Sequence, residues 1–451
     1  MWGDRYDRDV TDIFAIQTAV AEEIAGALHS RLSTAQKAQI ERKPTHSAEA
    51  YDLYLRALEY KNRPGTRPSN LAIAEQMYLK AIQADPSFAL AYAELARVKL
   101  TRYWYVGGTP DRVAEDAREE AEQSLRLQPD LPEGHLALGF YYYWRLLDYD
   151  RALKELEIAL SGVPAAAVFM MGSIVRRQGR FDEAIRNQQE ALRLDPRVPN
   201  RFVELGLSFL WTRRYEEADR ELNRALTIAP DLLSAAAIKA FLQEAWQGDT
   251  SLAKEVLREA RGRLDPQGLV GQQGSWIIFL LLNNPREAVP LLDSIEAEAI
   301  IGVTSVFPKV FLYAVVHEAL GDADRARKEY EAALPLLQTE VETNPSRNAS
   351  PRALLARAYA GLGRKEEALR EARRAVETLP ISKDALDGSV VEIERAAVEA
   401  RVGDTDAAIE HIRHLLSIPC LLSPALLRID PRWAPLRNDS RFRKLAELER
   451  E

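Results

Sequence analysis

Four positions in the middle of the chain recur at one interval. Gly172 is followed by Gly206, Ala184 by Ala218, Ala191 by Ala225 and Pro196 by Pro230, and the step along the chain is the same in every pair. A stack of like units imposes such an interval, because every unit must offer the same contacts to the next. With one unit numbered 1 to 34 from residue 165, apolar or aromatic side chains fall at 4, 7 and 11 and a small residue at 8. Alanine follows at 20 and 27, a large residue near 24 and proline at 32. Both sets of spacings are helical stripes, so one unit is two short amphipathic helices joined by a turn at "RQGRF" or "TRRYE".

The fixed positions have physical reasons. Glycine inside a helix costs about 0.5–1 kcal/mol against alanine, so its use at position 8 points to a helix that approaches closely, and alanine at 20 serves that contact from the other side. A larger side chain there would overpack at roughly 1–3 kcal/mol. Proline at 32 ends the second helix, because it lacks an amide hydrogen and restricts the residue before it.

A 34-residue helical hairpin with these positions resembles the tetratricopeptide repeat. About ten units can be followed from Ala48 to Leu415, the fourth and fifth being the best matched. The resemblance implies an all-α, right-handed α-solenoid: an elongated curved surface rather than a globule around a pocket. The array is expected over 46–418, with a C-terminal helical cap over 419–451 that sets Leu427, Trp433, Leu436, Phe442 and Leu445 among Arg437, Arg441, Arg443 and Lys444. Between 262 and 308 the period loosens around Gly268, Gly271, Gly274, Pro285 and Pro290, which predicts a bend between two half-arrays. Residues 1–45 carry a stripe at Ile13, Ile16, Val20, Ile24 and Leu28. The stretch from Trp2 to Arg8 followed by "DIFAIQ", and "LLRIDPRWAPLRNDSRF" near the other end, resemble multidomain bacterial signalling proteins. In those, a tetratricopeptide array follows a class III nucleotide cyclase, a Ser/Thr kinase or a winged-helix regulator. The resemblance makes residues 1–45 the remnant of an upstream α/β domain plus an amphipathic helix, and the chain the sensory or scaffolding part.

Catalysis finds no support in the residues. "VGGTPD" lacks the glycine spacing and lysine of a phosphate loop, and no serine elbow is present. His411 and His414 share a helix face without a third ligand, and their place beside the packed stripe predicts solvated surface. His135 and His317 fall at packing positions, and Cys420 reads as a buried structural thiol. The expectation is no catalytic residue, no cofactor and no metal. The net charge of -8 offers no footprint for nucleic acid, and the longest apolar run, "WIIFLLL", is far short of the roughly 20 residues that span a bilayer. One cysteine and no signal-peptide pattern predict a cytoplasmic location.

Positions 5, 9 and 12 of each first helix lie about 100° round from the packing stripe, and the resemblance makes that stripe the concave groove. In units three to five it and its neighbours supply Phe140, Tyr143, Trp144, Phe169, Arg176, Arg177 and Trp211. Aromatic residues and arginines are enriched where protein partners are held, so these seven are the candidate peptide-groove residues, packing between hairpins being the alternative. Units three to five, with Leu136, Phe169 and Val203 at position 5, lack the lysine and asparagines by which one repeat subtype clamps a terminal carboxylate, which disfavours that function. The expected function is non-catalytic binding of a protein or peptide, with self-association into a homo-oligomer as the second reading.

Overall fold

The computed structural model describes residues 43–63, 68–106, 109–262, 271–303, 305–343 and 348–448. Among them the chain forms ten helical hairpins in succession. They are α1 (Ala48–Lys61) with α2 (Pro68–Ala84), α3 (Ala89–Tyr105) with α4 (Asp111–Leu127), and α5 (Pro132–Trp144) with α6 (Tyr149–Ala159). Then come α7 (Pro164–Arg177) with α8 (Phe181–Leu194), α9 (Pro199–Trp211) with α10 (Tyr215–Ile228), and α11 (Leu233–Gln247) with α12 (Ser251–Gly262). The last four are α13 (Gly271–Asn283) with α14 (Pro285–Ser294), α15 (Lys309–Ala319) with α16 (Ala323–Thr343), α17 (Ala349–Gly361) with α18 (Lys365–Thr378), and α19 (Asp387–Arg401) with α20 (Thr405–Ser417). The sequence stripe at Ile13–Leu28 and Gly268 lie outside the described residues.

The hairpins close as the small residues require. A Cβ on Gly172 would sit 3.2 Å from the carbonyl oxygen of Ala184, and one on Gly206 would sit 3.4 Å from that of Ala218. Ala184, Ala191, Ala218 and Ala225 are all fully buried. Helices α8 and α10 stop two residues before Pro196 and Pro230. The turn between α7 and α8 uses a left-handed residue, Gly179 at φ 78°, and the turn between α9 and α10 uses Arg213, one repeat interval later, at φ 58°.

The loosened stretch departs from the pattern in two ways. A two-stranded antiparallel hairpin, β1 (Ala299–Ile301) and β2 (Val306–Pro308), stands between α14 and α15, an insertion that the all-helical reading did not contain. The first helices α11 and α13 also pack directly on each other, while the pairing of α13 with its own second helix α14 is slight. Burial of "WIIFLLL" explains this: Trp276, Ile277, Ile278, Leu280 and Leu281 are all covered, and one short partner helix cannot cover them.

The array also turns back on itself. The start of α13 lies against α3, where a Cβ on Gly271 would be 2.5 Å from the carbonyl oxygen of Tyr105. The loop before α19 meets the end of α7, with the amide of Ala385 donating to the Arg177 carbonyl at 2.7 Å. Residues beyond α20 form α21 (Pro424–Ile429), a 3-10 turn (Pro431–Leu436) and α22 (Ser440–Ala446). Trp433, Leu436, Phe442 and Leu427 are buried there, whereas Arg437, Arg441, Arg443 and Lys444 face solvent. Helix α21 packs on α11 as well as on α22, so this segment joins distant units. The solenoid is therefore not the open curve expected from its period; contacts between units far apart in sequence bend it round a half-open cavity. No helix among the described residues is long and apolar enough to cross a membrane.

Candidate ligand cavity on the concave face

The space between the two arms is a half-open cavity of about 210 Å³. One wall comes from the ends of the first helices α3, α5, α7 and α9, and the other from α13, β2, α15, α17 and the start of α19. The first wall is built by the repeat itself, since Tyr143, Arg177 and Trp211 follow one another at the repeat interval and all three line the space. Aromatic rings make up much of both walls. Trp104 stacks on Trp144 with centroids 5.7 Å apart, and Trp276 meets Trp211 edge-on at 6.2 Å and Phe279 at 5.3 Å.

Six of the seven candidate groove residues, Tyr143, Trp144, Phe169, Arg176, Arg177 and Trp211, line this cavity. Phe140 does not. It lies behind Trp144, centroid to centroid 4.5 Å, and is buried between hairpins. Apart from half-buried Phe169, the seven side chains are nearly covered by the protein itself. The concave stripe is thus an inner wall rather than an open surface.

Both arginines have partners within the chain. Arg176 donates to the Glu204 carboxylate at 2.5 Å, to the Glu204 carbonyl at 2.9 Å and to Ser208 Oγ at 3.1 Å. Glu204 also accepts from Gln272 at 2.6 Å, which ties α9 to α13. Arg177 donates through Nε to the Tyr143 hydroxyl at 2.7 Å, and through its terminal nitrogen to Asp387 at 2.8 Å and to Asp384. Its guanidinium lies 5.0 Å from the Trp104 ring centroid. Burial opposes the charge on Arg177, but Asp384 and Asp387 outweigh it and hold the group firmly protonated. At the far wall Arg357 faces Glu394 at 3.5 Å, and Glu394 also takes Arg432.

A second clasp closes the ring beside this wall. Arg213, at the left-handed turn after α9, donates to the carbonyls of Leu422 and Leu415 at 3.0 Å each and to Cys420 Sγ at 3.3 Å. A non-glycine residue at positive φ costs free energy that the surroundings must offset, and this clasp offsets it. Ser423 adds a hydrogen bond from its hydroxyl to the Ala245 carbonyl at 2.6 Å. Sequence reasoning missed Asp384, Asp387, Glu204 and Ser423 as partners, since nothing local distinguishes them from exposed polar residues. The one signal available was the repeat spacing of Tyr143, Arg177 and Trp211.

The histidines divide. His414 is exposed, but His411 is half-buried, 2.7 Å from Glu399 and 3.6 Å from Glu392. Its pKa is raised by the hydrogen bond to Glu399. The solvated reading therefore fails for His411, because α19 brings two carboxylates against α20. His135 and His317 meet Glu155 and Glu329 across their own hairpins, at 2.7 and 2.8 Å. Cys420 is fully buried, and that burial raises its thiol pKa. Among the described residues no three His, Cys, Asp or Glu side chains are grouped so as to hold a metal ion.

Comparison with known proteins agrees with the hairpin geometry. The profile of the tetratricopeptide repeat family matches residues 139–199 and 169–232, which span α5 to α10. Putative adenylate cyclase 3 of Rhizobium meliloti (strain 1021) is 31% identical over 161 residues, 35% of this chain and 26% of that protein. The chain thus spans about a quarter of that relative's length. Among solved structures, PilW, described as a widely conserved type IV pilus biogenesis factor, is 20% identical over 47% of this chain and 92% of its own, with a TM-score of 0.35. YrrB, described as a TPR protein with an unusual peptide-binding site, is 23% identical over 46% of this chain and 98% of its own, with a TM-score of 0.27. A repeat interval shared by units four and five, buried small residues where paired helices touch, and this profile match lead to one conclusion: the chain carries tetratricopeptide repeats, matched by the family profile over residues 139–232.

Proposed function

We propose that the chain is the non-catalytic regulatory part of a larger signalling protein and that it holds a protein or peptide segment on the concave stripe of units three to five. The observation that carries this reading is the convergence of Tyr143, Trp144, Arg177 and Trp211 on one space. Residues of these types supply most of the binding energy at protein interfaces. The C-terminal units cover the stripe through a limited seam, chiefly Arg177 with Asp384 and Asp387 and Arg213 with the 415–422 segment. A partner segment that competes for the stripe would part that seam, which gives the scaffold two states and hence a way to report binding. The likeness to a quarter of a protein named as a cyclase supports a regulatory place within such a chain, and a single buried thiol fits a reducing compartment such as the cytoplasm.

Selection from a displayed random peptide library tests the reading. Peptides enriched on the full chain should lose at least about tenfold in affinity for the Trp144→Ala/Trp211→Ala variant, as loss of interface tryptophans implies. The variant's circular dichroism should match the parent's. Equal affinity for the two proteins would remove the stripe from consideration.

A further inference from the structure

We propose that a second, separate groove, where units eight to ten meet the C-terminal segment, is a site for a small aliphatic carboxylate. This groove holds about 790 Å³, within the range of roughly 300–1,000 Å³ usual for small-molecule sites. The ends of the first helices α15, α17 and α19 form one side, and the 3-10 turn Pro431–Leu436 forms the other. It is open to solvent at the hairpin turns, since a Cβ on Gly321 or Gly363 would meet nothing within 4 Å.

The lining is apolar and aliphatic, with Val315, Ala360, Ala397, Val398, Ala434 and Pro435 among it and no aromatic side chain. Its charges are unequal. Arg327, Arg357, Lys365, Arg401 and Arg432 stand against Glu318 and Asp324. Two of the arginines are engaged: Arg401 with Glu318 at 2.6 Å, and Arg432 with Asp430 at 2.6 Å and with Glu394. Arg327 and Lys365 are exposed and have no ion-pair partner among the described residues, and the same holds for Asp324. With Glu394 and Asp430 counted as well, five cations meet four carboxylates, and the one positive charge left over suits a monoanion.

Arg357 is the group that would hold it. Its contact with Glu394 is long, 3.5 Å, and Glu394 Oε2 receives no hydrogen bond from it, because that carboxylate is drawn to Arg432. The Arg357 side chain keeps 12% of its surface exposed, and none of its nitrogens is sealed from solvent. A guanidinium with five N–H donors that can be reached and is short of acceptors is matched by a carboxylate, which can take two of those donors at once. An alkyl chain on that carboxylate would lie along the aliphatic lining, while Arg327 and Lys365 draw the anion to the mouth.

Titration calorimetry on the full chain tests this with octanoate, octanamide and acetate. Octanoate should bind; octanamide, which lacks the charge, and acetate, which lacks the chain, should each bind at least about tenfold more weakly, from the worth of a hydrogen bond to a charged group and of buried methylenes. Arg357→Gln should bring octanoate down to the octanamide value. Ala434→Phe, at an exposed position of this groove alone, should fill the space and weaken octanoate by about fivefold or more, and it serves if the first variant does not fold. Because Arg357 also lines the central cavity, the Trp144→Ala/Trp211→Ala variant is the control and should bind octanoate as the parent does. No heat with octanoate, equal binding of octanamide, or a loss in the tryptophan variant with none in Ala434→Phe would each overturn the assignment, as would octyl phosphate binding more than tenfold tighter than octanoate. No peptide is involved, so a failed library selection leaves these results untouched, and their failure leaves the partner reading standing.

Discussion

Units four and five and the stretch from Gly271 to Pro308 face one another across the cavity, yet they are held in different ways. In α7 to α10 the close contacts run between neighbouring helices: Gly172 against Ala184 and Gly206 against Ala218 and Leu222. The same residues therefore return once in every unit. In α13 and the strand pair the contacts reach across the molecule, from Gly271 to Tyr105 and from Gln272 to Glu204. Residue choice there answers to a distant partner, and the period dissolves. Loss of a repeat pattern can thus mark the place where long-range contacts take over.

The largest test severs the long-range side. Arg177→Ala leaves Asp384, 1% exposed, buried without its counter-ion and should lower stability by about 3–5 kcal/mol. Urea unfolding would measure this, and Arg177→Ala/Asp384→Ala should cost less than the sum of the two single changes.

Next in size is a pH effect at Glu244, a fully buried residue on α11 that accepts hydrogen bonds from Asn283 and Asn284 at the end of α13, at 2.7 and 2.6 Å. Burial pushes its carboxyl from the usual 4.5 up to about 8, against the pull of the two amides. Folding then takes up a proton between these values, so this group makes stability fall as pH rises from 4.5 to 8. Glu244→Gln should be close to neutral at the acid end and more stable than the parent by on the order of 2–4 kcal/mol at the alkaline end. Melting temperatures across that window would show it, and parallel curves would contradict it.

Two glycine changes sharpen the comparison at smaller scale. Gly271→Ala forces a Cβ to within 2.5 Å of the Tyr105 carbonyl oxygen at φ 62°, and should cost about 1–3 kcal/mol. Gly206→Ala meets Leu222 at 3.1 Å and Ala218 O at 3.4 Å. It gains about 0.5–1 kcal/mol of helix propensity, so its net effect should lie within about 0.5 kcal/mol. If Gly206→Ala proved the more damaging in thermal melts, the division between local and long-range packing would be misdrawn.

Helix number and turn positions were legible in the sequence because their causes lie within one unit. The stop signal at Pro196 acts on Leu194, and Ala218 serves Gly206 from within the same hairpin. The closure was not legible. Arg177 and Asp384 are separated by 207 residues, Arg213 and Leu422 by 209, and an arginine that will be a clasp looks the same as one that will meet a ligand. The strand pair escaped notice because "AIIG" and "VFP" are too short to announce a period of two. Half of the concave stripe could be read from the repeat spacing of Tyr143, Arg177 and Trp211, whereas its opposite wall, with Ser305 and Trp276, has no such spacing.

The meeting of Arg177 with Asp384, and of Arg213 with the 415–422 segment, has an evolutionary corollary. An open solenoid tolerates gain or loss of a unit by duplication or deletion, since each hairpin knows only its neighbours. Here a copy inserted between the two clasping arms would carry the acidic loop past its arginine, so the length of this array is fixed by a circumference.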